Sequence, residues 1–520
     1  MRNTFRRPAL LLLGLTLALA LAASLPAQNQ QRPPEYNELV AASQIKDAAA
    51  RLKELERIKA AYPSSRFLVA IDRYILNAKI ELAESLEAIL ALQKEFLAGA
   101  RGPARLQGPF ISADQILTHP RLKTFDKAAV LAAVLAYRDQ SAKAAEDPGV
   151  FEGIPANQRE AFKAYAVTGF GILVAQAYLN AGDAAKALAA LDAFKADGGT
   201  PDAPYFYTLG GTYSQMGKSK EAYDAFLSAA ADGQEDALAR ARELYVQLNG
   251  KPDGFEAALE ARLKALPYAP APFKAPAGWK GRTVLAELFT GSECPPCLAA
   301  DLGFEGLLAS VPAKYLAVLE YHLPIPRPDP MINAASKTRQ HYYGVTSTPT
   351  VVIDGDKDAS GGGLRSLSEA KFKQYRAAVE ARLAEAPGTP LKVAATLAGD
   401  TVKAEFETGP AVAGAAYHLV LVQGEEKYKG SNGLAFHQMV VRDVLDVDPA
   451  GAKTAAFDLA ASEAKADEYL TDFENTSRRY AGFKFAERHN KIDRSRLRVV
   501  LFAQDDVTKK VLNAAVADVK

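Results

Sequence analysis

The only two cysteines of the 520-residue chain stand three apart, as Cys294-Pro295-Pro296-Cys297. At a helix start that spacing supports dithiol–disulfide chemistry. The first cysteine faces unpaired backbone N–H groups and the positive end of the helix dipole, which favours its thiolate. The second lies one turn on, on the same face, and can close the disulfide. Three other readings stay open. A structural disulfide closing a loop of about four residues would stabilise by only about 2 kcal/mol. The pair could hold copper(I) or zinc with His322 as a third ligand, or the site could be degenerate and inactive. A disulfide-stapled small-domain scaffold and a four-cysteine zinc module are both excluded. Redox chemistry is the expectation, and it implies no cofactor.

The flanking sequence supplies elements to position the pair. Thr283–Phe289 is an apolar run that reads as a buried strand, leading through Thr290-Gly291-Ser292-Glu293 into the cysteines. Leu298–Ser310 is an apolar helical stretch. Tyr315–His322 reads as a strand, Ala335–Tyr343 as a helix, and Pro349–Ile353 as a strand before Asp354-Gly355.

This order of elements resembles thioredoxin, with Gly344-Val345 and Thr348-Pro349-Thr350 matching the cis-proline loop of that fold. A narrower resemblance rests on Glu287-Leu288-Phe289-Thr290, Cys294 and Cys297, Asp301, His322, Asp329-Pro330, Arg339-Gln340, Tyr342-Tyr343, Thr348-Pro349 and 351–355. Over about 75 residues these are similar to a family of secreted bacterial thioredoxin-like proteins of largely unassigned function. That family commonly carries other residues between and after its cysteines, and the Pro-Pro pair makes this copy more like an ordinary redox motif. Cys294, at the helix start, is expected to be the exposed nucleophile and Cys297, one turn inside, the buried resolving thiol; the resemblance implies that Pro349 faces them. It also implies a buried carboxylate to take the Cys297 proton. Glu287 is the first candidate, although it lies seven residues before Cys294 where thioredoxin's acid lies six before, and one residue reverses the strand face. Asp301 competes. His322 is expected at the rim, contacting Asp329.

The two prolines bear on redox poise. Neither supplies an N–H to the Cys294 sulfur, and Glu293 opposes ionisation, so the thiolate is expected to be only moderately stabilised. The pair should be a weak oxidant, nearer thioredoxin's roughly −270 mV than the strongest oxidants.

The N-terminus bears on compartment. Arg2, Arg6 and Arg7 precede an apolar run, Ala9–Ala23, too short for a span of about 20 residues. Residues 1–27 read as a secretory signal peptide cleaved after Ala27, which makes the protein periplasmic or secreted. Lys plus Arg is 62 and Asp plus Glu 61, a net charge of +1, which offers no field for nucleic acid. With 49% hydrophobic residues, wholesale disorder is excluded.

Three folded regions are expected. Residues 28–266 read as all-α, with Gly102–Pro120 as an irregular connection. Tyr178, Gly182, Ala187 and Leu191 recur 35 residues on as Tyr213, Gly217, Ala222 and Phe226, a pattern that resembles tetratricopeptide repeats. That helical surface is the expected docking face for a protein partner, and His119 is read as a loop or core histidine. Residues 267–278, with four prolines, read as a stiff spacer. Residues 279–388 form the thioredoxin-like α/β region. Residues 389–520 alternate apolar and polar residues, interrupted by a helix near 462–480, and read as an immunoglobulin-like β-sandwich in which His418 and His437 are structural. The expected function is an exported thiol–disulfide oxidoreductase acting on protein substrates, supplied with electrons by a membrane donor. The rivals are a non-enzymatic repeat scaffold and a copper- or zinc-handling protein.

Overall fold

The computed structural model describes residues 33–357 and 361–520. The expected signal peptide, 1–27, lies outside the described residues. The chain divides into two units, one ending at Asp253 and the other running from Gly254 to Lys520.

The described part of the first unit is helical. The stretch expected to be irregular contains a helix, α1 (Ala104–Leu117), with Pro109 inside it. Its apolar side, including Leu106, Ala113 and Ile116, is fully buried, and that tertiary packing overrides the weak local propensity of Gly108 and Pro109. The 35-residue repeat becomes two helix pairs, α2 (Phe170–Ala181) with α3 (Ala184–Ala196) and α4 (Ala203–Gln215) with α5 (Ser219–Ala231). Gly182 and Gly217, at equivalent positions after α2 and α4, both have left-handed backbone (φ 88° and 71°), which glycine adopts without steric cost. Gly210 lies so close to Phe226 that a Cβ would sit 2.8 Å from its ring. His119 is buried, with Nε2 2.9 Å from the Ile80 carbonyl and Nδ1 accepting from the Arg121 N–H, a core histidine.

In the second unit, α6 (Phe255–Lys264) is tied to the β-rich part of the chain: Lys264 pairs with Glu425 at 3.0 Å and lies over the Phe436 ring. The Pro-rich stretch 267–278 is not a free spacer. Tyr268 donates to the Leu302 carbonyl at 2.7 Å, Arg376 donates to the Pro272 carbonyl, and Phe273 packs on Tyr315.

Strands β1 (Val284–Thr290), β2 (Leu316–His322) and β3 (Thr350–Ile353) are wholly buried. β1 runs parallel to β2 and antiparallel to β3. Helices α7 (Leu298–Ser310), α8 (Ala334–Tyr343) and α9 (Ser368–Leu383) complete this region. Residues 389–520 do not form a separate sandwich. β4 (Leu391–Ala398), β5 (Thr401–Thr408) and β8 (Thr454–Asp458) make a three-stranded antiparallel sheet, but β6 (Ala415–Lys427), β7 (Phe436–Asp446), β9 (Leu497–Asp505) and β10 (Val511–Asp518) join β1–β3 in one seven-stranded sheet. The order is β10-β9-β6-β7-β2-β1-β3, with β7 parallel to β2 through Glu320 and Val440. β7 thereby covers the edge β2 would otherwise expose. The small sheet packs Val402, Phe406 and Phe457 against Leu419, Leu421 and Val499 of the large one. Helix α10 (Leu459–Thr476) comes directly after β8.

Candidate functional site

β1 carries alternate side chains to opposite faces of the sheet, and the two candidate acids separate accordingly. Glu287 accepts from Arg339 Nε at 2.6 Å and Nη2 at 2.9 Å, and from the Tyr343 hydroxyl at 2.8 Å, all on α8. It is fully buried, and its charge is matched by a guanidinium. Thr290, three residues on, points to the other face, where its hydroxyl donates to Asp301 Oδ1 at 2.6 Å on α7. Asp301 lies four residues after Cys297, on the same helix face. The expectation that Glu287 serves the cysteines therefore fails, because its face of β1 belongs to α8. Asp301 is the buried carboxylate on the helix that begins after Cys297.

Burial, with the Asp329 charge beside it, pushes the Asp301 carboxyl up to about 7, against the Thr290 and Asn432 hydrogen bonds and the His322 imidazole, which lower it. A carboxyl poised near neutrality is suited to exchange a proton with a thiol. Burial likewise raises Glu305, one turn further along α7, to about 8, and raises Glu320 on β2. One carboxylate oxygen of Glu320 is buried without a partner.

Cys294 and Cys297 form a disulfide. Pro295–Cys297 is a 3-10 turn that leads into α7. The Thr348–Pro349 bond is cis, and the Thr348 hydroxyl lies 3.3 Å from the Cys294 sulfur. The same hydroxyl is 2.7 Å from the Ile325 carbonyl. Its single proton serves the carbonyl and leaves the sulfur weakly solvated. Pro349 and Pro296 both border Gly362, where a Cβ would sit 2.6 Å from the Pro349 ring and 2.0 Å from the Pro296 carbonyl oxygen.

Both sulfur-bearing residues are completely buried, whereas the two prolines between them are exposed. Cys294 is thus not the exposed thiol expected from its place before the helix, and Thr348, distant in sequence, stands against its sulfur. The expected His322–Asp329 contact is present (Nδ1 to Oδ2, 2.9 Å), but it is a buried hub and not a rim feature. Asp329 Oδ2 also accepts from the Ser292 N–H and hydroxyl, at 2.5 and 2.8 Å, and Oδ1 from the Met331 N–H. Burial alone would raise Asp329, but the imidazole and these donors outweigh it and hold the carboxyl at about 2. The hub clamps the residue two before Cys294. Among the described residues no group of three or more His, Cys, Asp and Glu is arranged to hold a metal ion, so the set of His322 with both cysteines is not assembled. His437 Nε2 donates to the Tyr428 carbonyl (3.0 Å) and the ring packs edge-on against His322, while His418 pairs with Asp446 and lies on Phe502.

Ser292 and Asn432 carry no sequence signal. Asn432, in the turn between β6 and β7, donates its N–H to the Ser292 carbonyl at 2.9 Å and its side-chain amide reaches Asp301 Oδ2 at 3.4 Å. No helix among the described residues is long and apolar enough to cross a membrane. No family model matches the chain, and no curated protein or solved structure matches it.

Proposed function

We propose that this chain is an exported thiol–disulfide oxidoreductase, in which a thioredoxin-like region carries the Cys294–Cys297 pair and tetratricopeptide-like helices present a docking face to a protein partner. The observation that carries the reading is the closed cysteine pair at the head of α7, against the Thr348–Pro349 loop and one turn before buried Asp301. The β1–β2–β3 arrangement and the run of elements through it support the thioredoxin likeness. Export rests on the sequence of residues 1–27.

In the dithiol form, the Cys294 thiolate attacks a substrate disulfide. That bond breaks, one substrate sulfur leaves as thiolate, and the other is held on Cys294. Cys297 gives its proton to the Asp301 carboxylate. Its thiolate then attacks the Cys294 sulfur, which releases the second substrate thiolate and closes the Cys294–Cys297 bond. Two electrons pass to the substrate, and the Asp301 proton passes to the released thiolate. A thiol donor, in an exported setting a membrane protein, must return the two electrons. Pro349 lacks an N–H and so places no backbone donor on the sulfurs.

The test is catalysis of insulin reduction by dithiothreitol. The wild-type chain should accelerate it, Cys294→Ser should not, and Cys297→Ala should accumulate mixed disulfides on Cys294. Wild-type protein that gives no acceleration would overturn the reading. One observation favours a second reading: both cysteines are wholly buried, as in a structural disulfide of a binding scaffold. On that reading Cys297→Ser costs about 2 kcal/mol of stability and changes no reaction rate.

A further inference from the structure

The loop that leads into the cysteine pair is held by a segment remote from it in sequence. The turn joining β6 to β7, residues 428–435, lies on the loop that leads into Cys294. The Asn432 N–H donates to the Ser292 carbonyl at 2.9 Å, and its side-chain amide lies 3.5 Å from the Gly291 carbonyl and 3.4 Å from Asp301 Oδ2. The Leu434 N–H donates to Asn432 Oδ1 at 3.0 Å and fixes that amide. Gly430 sits so tightly on the loop that a Cβ would stand 2.3 Å from the Ser292 carbonyl oxygen. At the edge of the contact, the Tyr428 hydroxyl donates to Glu293 at 3.1 Å, and Arg327 donates to the Ser431 hydroxyl at 2.5 Å.

We propose that the 430–434 turn is the element that admits substrate to the cysteine pair, and that Asn432 is the positioning residue that ties its closure to Asp301. The inference rests on the redox reading of the pair and extends it to access and substrate class. With both cysteines fully buried, a protein disulfide reaches Cys294 only when a covering segment lifts, and the turn seated on the Ser292 carbonyl, two residues before Cys294, is that segment. Lifting strips the Ser292 carbonyl of its donor. An extended, unfolded polypeptide can replace that donor with a backbone N–H, whereas a small disulfide has fewer backbone groups to offer. Lifting also takes the Asn432 amide from Asp301. A carboxylate with one donor fewer is the stronger base, so the proton acceptor gains strength when Cys297 must give up its proton. The other groups facing Asp301 stay in place: Thr290 from β1, Glu320 and His322 from β2, Asp329 from the loop after β2, Tyr375 from α9, and Glu305 on α7 itself.

The experiment is alkylation of the reduced full-length protein by iodoacetamide, a reaction that needs no catalysis. Gly430→Val forces the turn off Ser292, and Asn432→Ala removes the side-chain anchor while leaving the backbone intact. Each should react at least about tenfold faster than wild type, the order expected from losing one or two hydrogen bonds. Asn432→Ala should also raise the pH midpoint of the Asp301-dependent limb. Asn432→Ala that alkylates within about twofold of wild type, with an unshifted midpoint, overturns the proposal whatever Gly430→Val does. If insulin reduction fails while the variants still alkylate faster, the redox reading falls and the closure stands, so the two failures are distinguishable.

Discussion

Glu287 grips Arg339 through two hydrogen bonds, 2.6 and 2.9 Å long, on the face of β1 turned away from Asp301. A buried charge pair of this kind is worth most when one partner is lost, because the survivor remains in a low-dielectric site. Glu287→Ala should therefore cost about 3–5 kcal/mol in urea unfolding. Adding Arg339→Met should recover most of it, and the pH profile of thiol alkylation should not move. A shifted profile in the single variant would restore Glu287 to the cysteine site.

Asp301 makes the opposite prediction. Its carboxyl, raised by burial to about 7, binds a proton in the folded state that the unfolded chain releases near 3.8. The neutral form favours the fold, so this contribution is fully present below about pH 4 and is lost as pH rises through about 7. Asp301→Asn should flatten that decline, which makes the variant more stable relative to wild type at pH 8 than at pH 4. It should also slow resolution of mixed disulfides at Cys294 by about a hundredfold, the usual scale for losing a positioned base. Stopped-flow quenching and gel analysis together read the second effect.

For Asp329 the sign reverses. Its carboxyl is held at about 2, so its stabilisation is present above about 4 and is lost as pH falls through about 2. Asp329→Asn should remove this acid sensitivity from the unfolding curve. Because Oδ2 fixes Ser292, the variant should also loosen the loop before Cys294 and raise hydrogen exchange at Ser292.

The potential of the pair is set by the surroundings of Cys294. The two prolines offer no N–H, the Thr348 proton serves Ile325, and Glu293 stands next in the chain. A poorly stabilised thiolate disfavours the reduced form. Equilibration with glutathione should place the couple near −270 mV, and a value above about −150 mV would show that other donors dominate.

In the first unit, Gly210→Val places a side chain where the Phe226 ring already lies. The α4–α5 pair should be forced apart at a cost of about 1–3 kcal/mol, read as a lower helical melting transition with no effect on the cysteine chemistry.

The amino-acid sequence by itself determined whatever rests on local periodicity and short spacing. The Cys-x-x-Cys pair, the helix over 298–310, the buried strand runs around it and the 35-residue helical repeat are all legible, because each is decided by neighbours within a turn or a strand. The strand alternation of 391–518 is legible for the same reason, apart from β8, whose short run carries too little pattern to mark it. The His322–Asp329 contact is readable from seven residues of separation, but not its burial.

Only the tertiary structure decided which strands share a sheet, since alternation marks the buried face of a strand and says nothing of its neighbour. That is why 389–520 reads as a self-contained sandwich and in fact extends the sheet of β1 and β2. The same limit governs the site. Whether Glu287 or Asp301 serves the cysteines depends on which helix covers each face of β1. The approach of Gly430 and Asn432 to Ser292, two residues before buried Cys294, is likewise a packing event between segments with no local signature.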